Sequence, residues 1–144
     1  MRKLTILLSL FMLATACEFH TSGNGSIDGF WQLASVDTLP GGGTADVRQQ
    51  QVTWAFQAHL VEIRCMSDTD PCDIVSFFDK SGDSLWLHDF YYSARDAGDI
   101  RLPDPADLHP YGMRSLRPAF RIAYLGSNSM QLETDSLRLN FRRY

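Results

Sequence analysis

Three cysteines carry most of the chemistry open to this 144-residue chain. Cys17 stands directly behind Ala14, Thr15 and Ala16, small side chains of the kind that signal processing requires at a cleavage site. Ahead of them lie Arg2, Lys3 and an apolar run from Leu4 to Ala14, too short for a membrane-spanning helix. A thiol in that place is the group that a diacylglyceryl transferase modifies. Residues 1–16 therefore read as a lipoprotein signal peptide that is removed, and Cys17 as the lipidation site. An ordinary secretory signal accounts for the small residues equally well, and Ala14 stands where leucine is more usual; the cysteine behind them favours lipidation. Each buried CH₂ of an acyl chain contributes about 0.8 kcal/mol, and stable anchoring takes two or more chains.

Cys65 and Cys72 bracket a polar excursion, Met66 to Pro71, between two apolar runs. On facing strands they are expected to form a disulfide, which an exported compartment permits. Closing so short a loop stabilises by roughly 2–3 kcal/mol on the chain-entropy model. One residue of register slip would turn the thiols apart and leave them free. No metal site is expected. The cysteine pair with His59 or His88 lacks the tight spacing of zinc ligands, and Asp68, Asp70 and Asp73 follow no calcium-loop pattern. Catalytic constellations are missing too: no glycine-rich phosphate loop, no helix-borne His-Glu motif, no nucleophile elbow. His88 and Asp89 are neighbours on one strand, so they are expected to point to opposite faces and not to pair. Asp89 shares parity with Leu85 and Leu87 and reads as inward-facing. No cofactor and no enzymatic activity are expected.

The elements that would position these residues are strands. From Gly29 onward, short runs rich in β-branched and aromatic residues alternate with polar neighbours and are separated by turn residues. Eight strands are predicted: 30–39, 51–57, 60–64, 74–79, 84–93, one through Phe120, Ile122 and Tyr124, one at Met130 and Leu132, and one through Leu137, Leu139 and Phe141. Ala58 with His59, and Ser81 to Asp83, make tight turns. An open sheet of eight strands would leave two edges and an apolar face uncovered, since no long helix is present. An eight-stranded antiparallel up-and-down β-barrel solves both problems; a two-sheet sandwich would need crossing connections that the short turns discourage. The segment Ala94 to Pro118 is the exception. It holds four prolines, with Asp104 placed to cap a turn begun at Pro105, and it is expected at the barrel mouth through Tyr111 and Met113.

Residues 17–27 read as the lipidated cysteine and a flexible tether, and 28–144 as the barrel domain. Losing Arg2 and Lys3 leaves 11 Lys and Arg against 17 Asp and Glu, a formal charge of −6. The excess is dispersed and argues against nucleic acid as a partner.

Gly29, Phe30 and Trp31 resemble the Gly-x-Trp motif that opens the first strand of lipocalins. The whole mature chain is similar to the small lipocalin-like lipoproteins of Bacteroidetes, most visibly in Phe56 to Arg64, in Pro110, Tyr111 and Gly112, and in the closing Leu139 to Tyr144. That resemblance implies a barrel whose base is plugged by Trp31. An arginine of the last strand is implied to pack over it, and parity makes that arginine Arg143. Many members of the group have no assigned role, so the resemblance implies fold and compartment more firmly than ligand. The chain lacks the helix that usually packs against a lipocalin barrel.

Two functions are then open. In one, the barrel binds a small apolar or amphipathic ligand through Trp54, Phe56, Phe78, Tyr111, Met113, Phe120, Tyr124 and Met130. In the other, those side chains simply fill the core, and an envelope protein partner meets outward residues such as Trp86, His88 and Tyr92; Phe90 is also predicted outward. Either way the expected place is the bacterial cell envelope, held at the outer membrane by the N-terminal lipid.

Overall fold

The structure is a computed structural model that describes residues 22–66, 72–93, 98 and 100–144. The leader, Cys17, Asp68 and Asp70 lie outside the described residues, as does the side chain of Cys72. Ten strands follow the chain: β1 Gly29–Thr38, β2 Thr44–Asp46, β3 Val52–Gln57, β4 Leu60–Cys65, β5 Cys72–Ser81, β6 Ser84–Tyr92, β7 Ile100–Arg101, β8 Ala119–Leu125, β9 Ser129–Glu133 and β10 Leu137–Arg143. Eight of them form one closed antiparallel ring in the order β1, β3, β4, β5, β6, β8, β9, β10, with β10 returning to β1 from Trp31 opposite Arg143 to Thr38 opposite Leu137. Closure leaves no long edge to be shielded. The two additions are short. β2 pairs with the far half of β1, and β7 with the end of β6. No helix of the described residues is long and apolar enough to cross a membrane.

Strand alternation sends one parity inward. Trp31 and Leu33, Val52, Trp54 and Phe56, Val61 and Ile63, Leu85 and Leu87, Met130 and Leu132, and Leu139 and Phe141 are all buried in a single core. Burial of side chains this large is what offsets the chain entropy of ordering the barrel.

Two departures from simple alternation correct the expected faces. Across β5 and β6 the register shifts between Val75 and Phe77, so that only Ser76 opposes both Asp89 and Phe90. Asp89 takes a left-handed φ of 52°, and this bulge reverses parity beyond it. Phe90 is therefore buried and Asp89 is not, the opposite of the alternation predicted from Leu85 and Leu87. Tyr92 is half-buried against the core instead of outward. In β8 a second shift between Ile122 and Tyr124 inserts Ala123, which turns Leu125 towards the core and leaves Tyr124 outside, 53% exposed. Tyr124 thus does not share the inward face of Phe120.

Candidate functional site

The barrel has a base, an interior, a mouth and an outer wall, and the residues singled out by type fall on all four. At the base, the 3₁₀ turn Gly25–Ile27 crosses beneath the strands and its Ile27 carbonyl accepts from Trp31 Nε1 at 2.7 Å. Arg143, one strand away, lays its guanidinium over the indole, Cζ 4.6 Å from the ring centroid. It donates to the carbonyls of Ser26 at 3.1 Å and Asp28 at 2.8 Å. Gly29 allows this approach: its φ is 111°, and a Cβ there would stand 2.8 Å from Arg143 Nη2.

In the interior, Trp54 is fully buried and touches three rings: Phe141 with centroids 5.1 Å apart, Phe120 at 6.0 Å and Phe56 at 6.2 Å. Phe78 meets Phe56 edge-on at 5.2 Å. Phe78, Phe120 and Met130 are buried in the same cluster. Among the described residues the Trp54 indole N–H has no hydrogen-bond partner, although a buried indole usually finds one.

The mouth is stoppered by the long segment before β8. Asp104 caps the 3₁₀ helix Pro105–Tyr111, accepting from Ala106 N at 2.8 Å with proline at the first position. Behind this cap Leu108, Tyr111 and Met113 drop into the core cluster. Gly112, at φ 82°, packs so closely on inward-facing Leu139 that a Cβ would meet its Cδ2 at 2.6 Å. Tyr111 and Met113 therefore close the barrel together with the interior rings. A groove of about 760 Å³ lies outside the stopper, between Val36, Ala45 and Val47 on one side and His109 and Arg114 on the other. Also near the mouth, Cys65 stands directly opposite Cys72 in the register of β4 and β5. Cys65 is a free thiol in this structure, donating to the Gln50 carbonyl at 3.4 Å.

The outer wall has two characters. Around β9, β10 and the adjoining part of β1 it is a polar network: Arg142 Nε to Gln32 Oε1 at 2.7 Å, Asn140 to Asp37 at 2.9 Å and to Ser35 at 3.1 Å, Gln131 to Asn140 at 3.1 Å. Glu133 is buried between Arg138, at 2.6 Å, and Arg121. The Arg138 hydrogen bond, with Arg121 adding charge, holds the Glu133 carboxyl below its usual range; Asn140 and Thr44 do the same for Asp37.

From the start of β1 across β3 to β6 the wall is different. Phe30, Leu60, Phe77 and Trp86 are exposed by 61, 40, 42 and 43%. Beside them runs a groove of about 1050 Å³ bounded by Phe30, Ala55, Leu60, Glu62 and Val75 of the wall and by Ser22, Gly23 and Gly25 of the entering chain. On the same wall His88 stacks on Phe77, with Nδ1 2.8 Å from Asp89 and Nε2 3.2 Å from Asp79. His88 and Asp89 do pair, against the expectation from alternation, because the bulge swings Asp89 to the outer face beside Arg101. The His88 contact, ahead of Arg101, draws the Asp89 carboxyl below its usual range. Among the described residues no group of three or more His, Cys, Asp or Glu is placed to hold a metal ion.

Sequence reasoning missed Phe30, Leu60 and Phe77 as a surface. The available signal was that β1, β4 and β5 carry large apolar residues on both parities, Phe30 beside Trp31, Leu60 beside Val61 and Phe77 beside Phe78, which one buried face cannot absorb.

A family model described as a lipocalin-like domain matches residues 11–144. Among solved structures, a lipocalin-like protein from Bacteroides uniformis ATCC 8492 is similar with a TM-score of 0.63 and 19% identity, over 83% of this chain and 100% of that one. An uncharacterized protein from Bacteroides eggerthii DSM 20697 gives 0.60 and 16%, over 81% and 98%. At these identities the likeness is one of fold. No curated protein matches the chain.

Proposed function

Because the chain belongs to the lipocalin-like domain family, we propose that it is a lipid-anchored barrel of the bacterial outer membrane that acts by contact through the outside of its wall, its interior serving as scaffold. The observation that carries this reading is the filled interior: Trp54 is enclosed by Phe56, Phe120 and Phe141 while Leu108, Tyr111 and Met113 close the mouth. Eight strands make a barrel narrow enough for side chains to fill. The wall, in contrast, leaves four large apolar side chains 40 to 61% exposed among the described residues, a pattern that marks contact surfaces in soluble domains. Catalysis has no part in this reading.

One observation favours a second role. The unpaired Trp54 N–H is a buried donor, and an amphipathic molecule with one acceptor oxygen would satisfy it if the stopper withdrew. Native mass spectrometry of the protein extracted from its own envelope separates the two. The scaffold reading expects the mass of the bare acylated chain; a small apolar molecule retained at one per chain, and lost when Trp54 is replaced by phenylalanine, would move the site to the interior. The anchor is tested separately: Cys17→Ser is expected to shift the folded barrel from the membrane to the soluble fraction.

A further inference from the structure

We propose that the wall carrying Phe30, Leu60, Phe77 and Trp86 lies against the lipid bilayer, so that the barrel rests on its side at the membrane surface instead of hanging free on its tether. This deepens the proposed function and rests on its anchor at Cys17.

The barrel is amphipathic in cross-section. Pairing places Phe30 beside Ala55, Ala55 beside Glu62 and Glu62 beside Val75 in one outer row, and Leu60 beside Phe77 in the next. Trp86 continues the exposed surface on β6. The wall of β8 to β10 and the part of β1 beyond Phe30 is, apart from Tyr124, the hydrogen-bonded network of Gln32, Asp37, Gln131, Glu133, Asn140 and Arg142. Large aromatic side chains at one level of a surface suit the boundary between headgroups and acyl chains.

The entering chain says which way this wall faces. Asn24 donates to the Ala58 carbonyl at 2.7 Å and to Asp28 at 2.9 Å, which ties the segment across the turn between β3 and β4. Ser22 and Gly23 border the groove itself. Cys17 lies five residues before Ser22, a span of at most about 18 Å when fully extended. An acyl anchor there holds the bilayer within reach of Phe30 and Leu60, which border the same groove as Ser22 and Gly23. The charges on this face, Glu62 paired with Arg64 and Asp79 near His88, leave no excess of cations. Contact is therefore by apolar insertion and does not require anionic lipid.

Trp86 supplies a reporter, since Trp31 and Trp54, the other two tryptophans, are fully buried. The acylated full chain is reconstituted into phosphatidylethanolamine vesicles whose acyl chains carry bromine, a short-range quencher of indole emission, with the mass of the Cys17 peptide read in parallel. Docking predicts quenching of the Trp86 emission that is insensitive to salt and to added phosphatidylglycerol. The triple variant Phe30→Thr, Leu60→Thr, Phe77→Thr keeps strand-forming residues at exposed positions. It is expected to retain the acyl mass and the thermal unfolding profile while the docked-to-free ratio falls by roughly tenfold or more. An acylated chain with unquenched Trp86 overturns docking and leaves the anchor standing; a Cys17 peptide without acyl mass overturns both. Protection of Trp86 that grows with protein concentration without bromine quenching assigns the wall to a second copy and likewise overturns docking on lipid.

Discussion

Replacing Gly29 with alanine should reach the base of the barrel by two routes that a double-mutant cycle can separate. The first is backbone strain: at φ 111° an L-residue costs about 1–3 kcal/mol. The second is displacement of Arg143, whose Nη2 would lie 2.8 Å from the new Cβ. The guanidinium is the far end of a flexible side chain and can move, but moving forfeits the stacking on Trp31 and the bonds to the Ser26 and Asp28 carbonyls. At this solvent-accessible edge the stacking contributes about 0.5–1 kcal/mol and the two bonds together about 1 kcal/mol. Gly29→Ala is thus expected to cost roughly 2–4 kcal/mol, Arg143→Ala roughly 1–2 kcal/mol, and the double variant no more than Gly29→Ala alone. Urea unfolding at neutral pH, followed by tryptophan fluorescence, measures all four corners. Costs that add within about 0.3 kcal/mol would refute the reasoning, because additivity means that the Cβ and the guanidinium never compete for space.

Three further outcomes follow from the same geometry. Phe78 N donates to the His59 carbonyl, so strand alternation makes Cys65 and Cys72 a hydrogen-bonded pair with Cα atoms about 5.5 Å apart, within disulfide range. Protein from an oxidising compartment is expected to carry that bond, and replacing both residues with serine to lower stability by roughly 2–3 kcal/mol under non-reducing conditions only; two titratable thiols in non-denatured protein purified without reductant would contradict this. Glu133 is held below its usual range by Arg138 and Arg121. The unfolded chain therefore takes up a proton first on acidification, and stability present above about pH 4.3 is lost as pH falls towards the lower folded value. Glu133→Gln should flatten that acid limb in urea titrations and weaken the protein at pH 7, where Arg121 and Arg138 lose their shared partner. Asp104→Ala removes the cap on the mouth helix, for a loss of about 1 kcal/mol, with faster amide exchange at Leu108 and Met113 than at β10.

The strands and their closure were legible because alternation is a strong signal and an open eight-stranded sheet is a costly alternative. Val52, Trp54 and Phe56 against Leu137, Leu139 and Phe141 announce two inward faces without help from tertiary structure. Once the lipocalin resemblance implied an arginine over Trp31, parity could single out Arg143, since no bulge lies between Leu137 and Arg143 within β10. Parity failed wherever a bulge intervened. An extra residue at Asp89 inverts Phe90 and Tyr92, and one at Ala123 expels Tyr124. Aspartate tolerates a left-handed φ better than most residues, but an Asp within an apolar run reads just as well as a polar residue in register. β2 and β7 were missed because strands of three and two residues carry too little pattern to detect.

The outer wall was the least legible feature, and the reason bears on function. A two-faced strand code assumes that one face is wet, so large apolar residues on both parities can be resolved only by a second covering layer. Among the described residues, Phe30, Leu60, Phe77 and Trp86 have no such layer. Prolonged exposure of these side chains in water is unfavourable by the same hydrophobic term that fills the barrel around Trp54. Aggregation is the default outcome for such a surface unless something else meets it first. With the proposed lipid on Cys17, five residues before Ser22, the bilayer would be the surface at highest local concentration. On the proposed reading, the N-terminal anchor and the exposed wall are parts of one device: the anchor would bring the membrane within reach, and the wall would decide which side of the barrel is turned away from it. On that geometry the polar network of Gln32, Asn140 and Arg142, together with the His109 and Arg114 groove at the mouth, is the surface left to face the aqueous compartment.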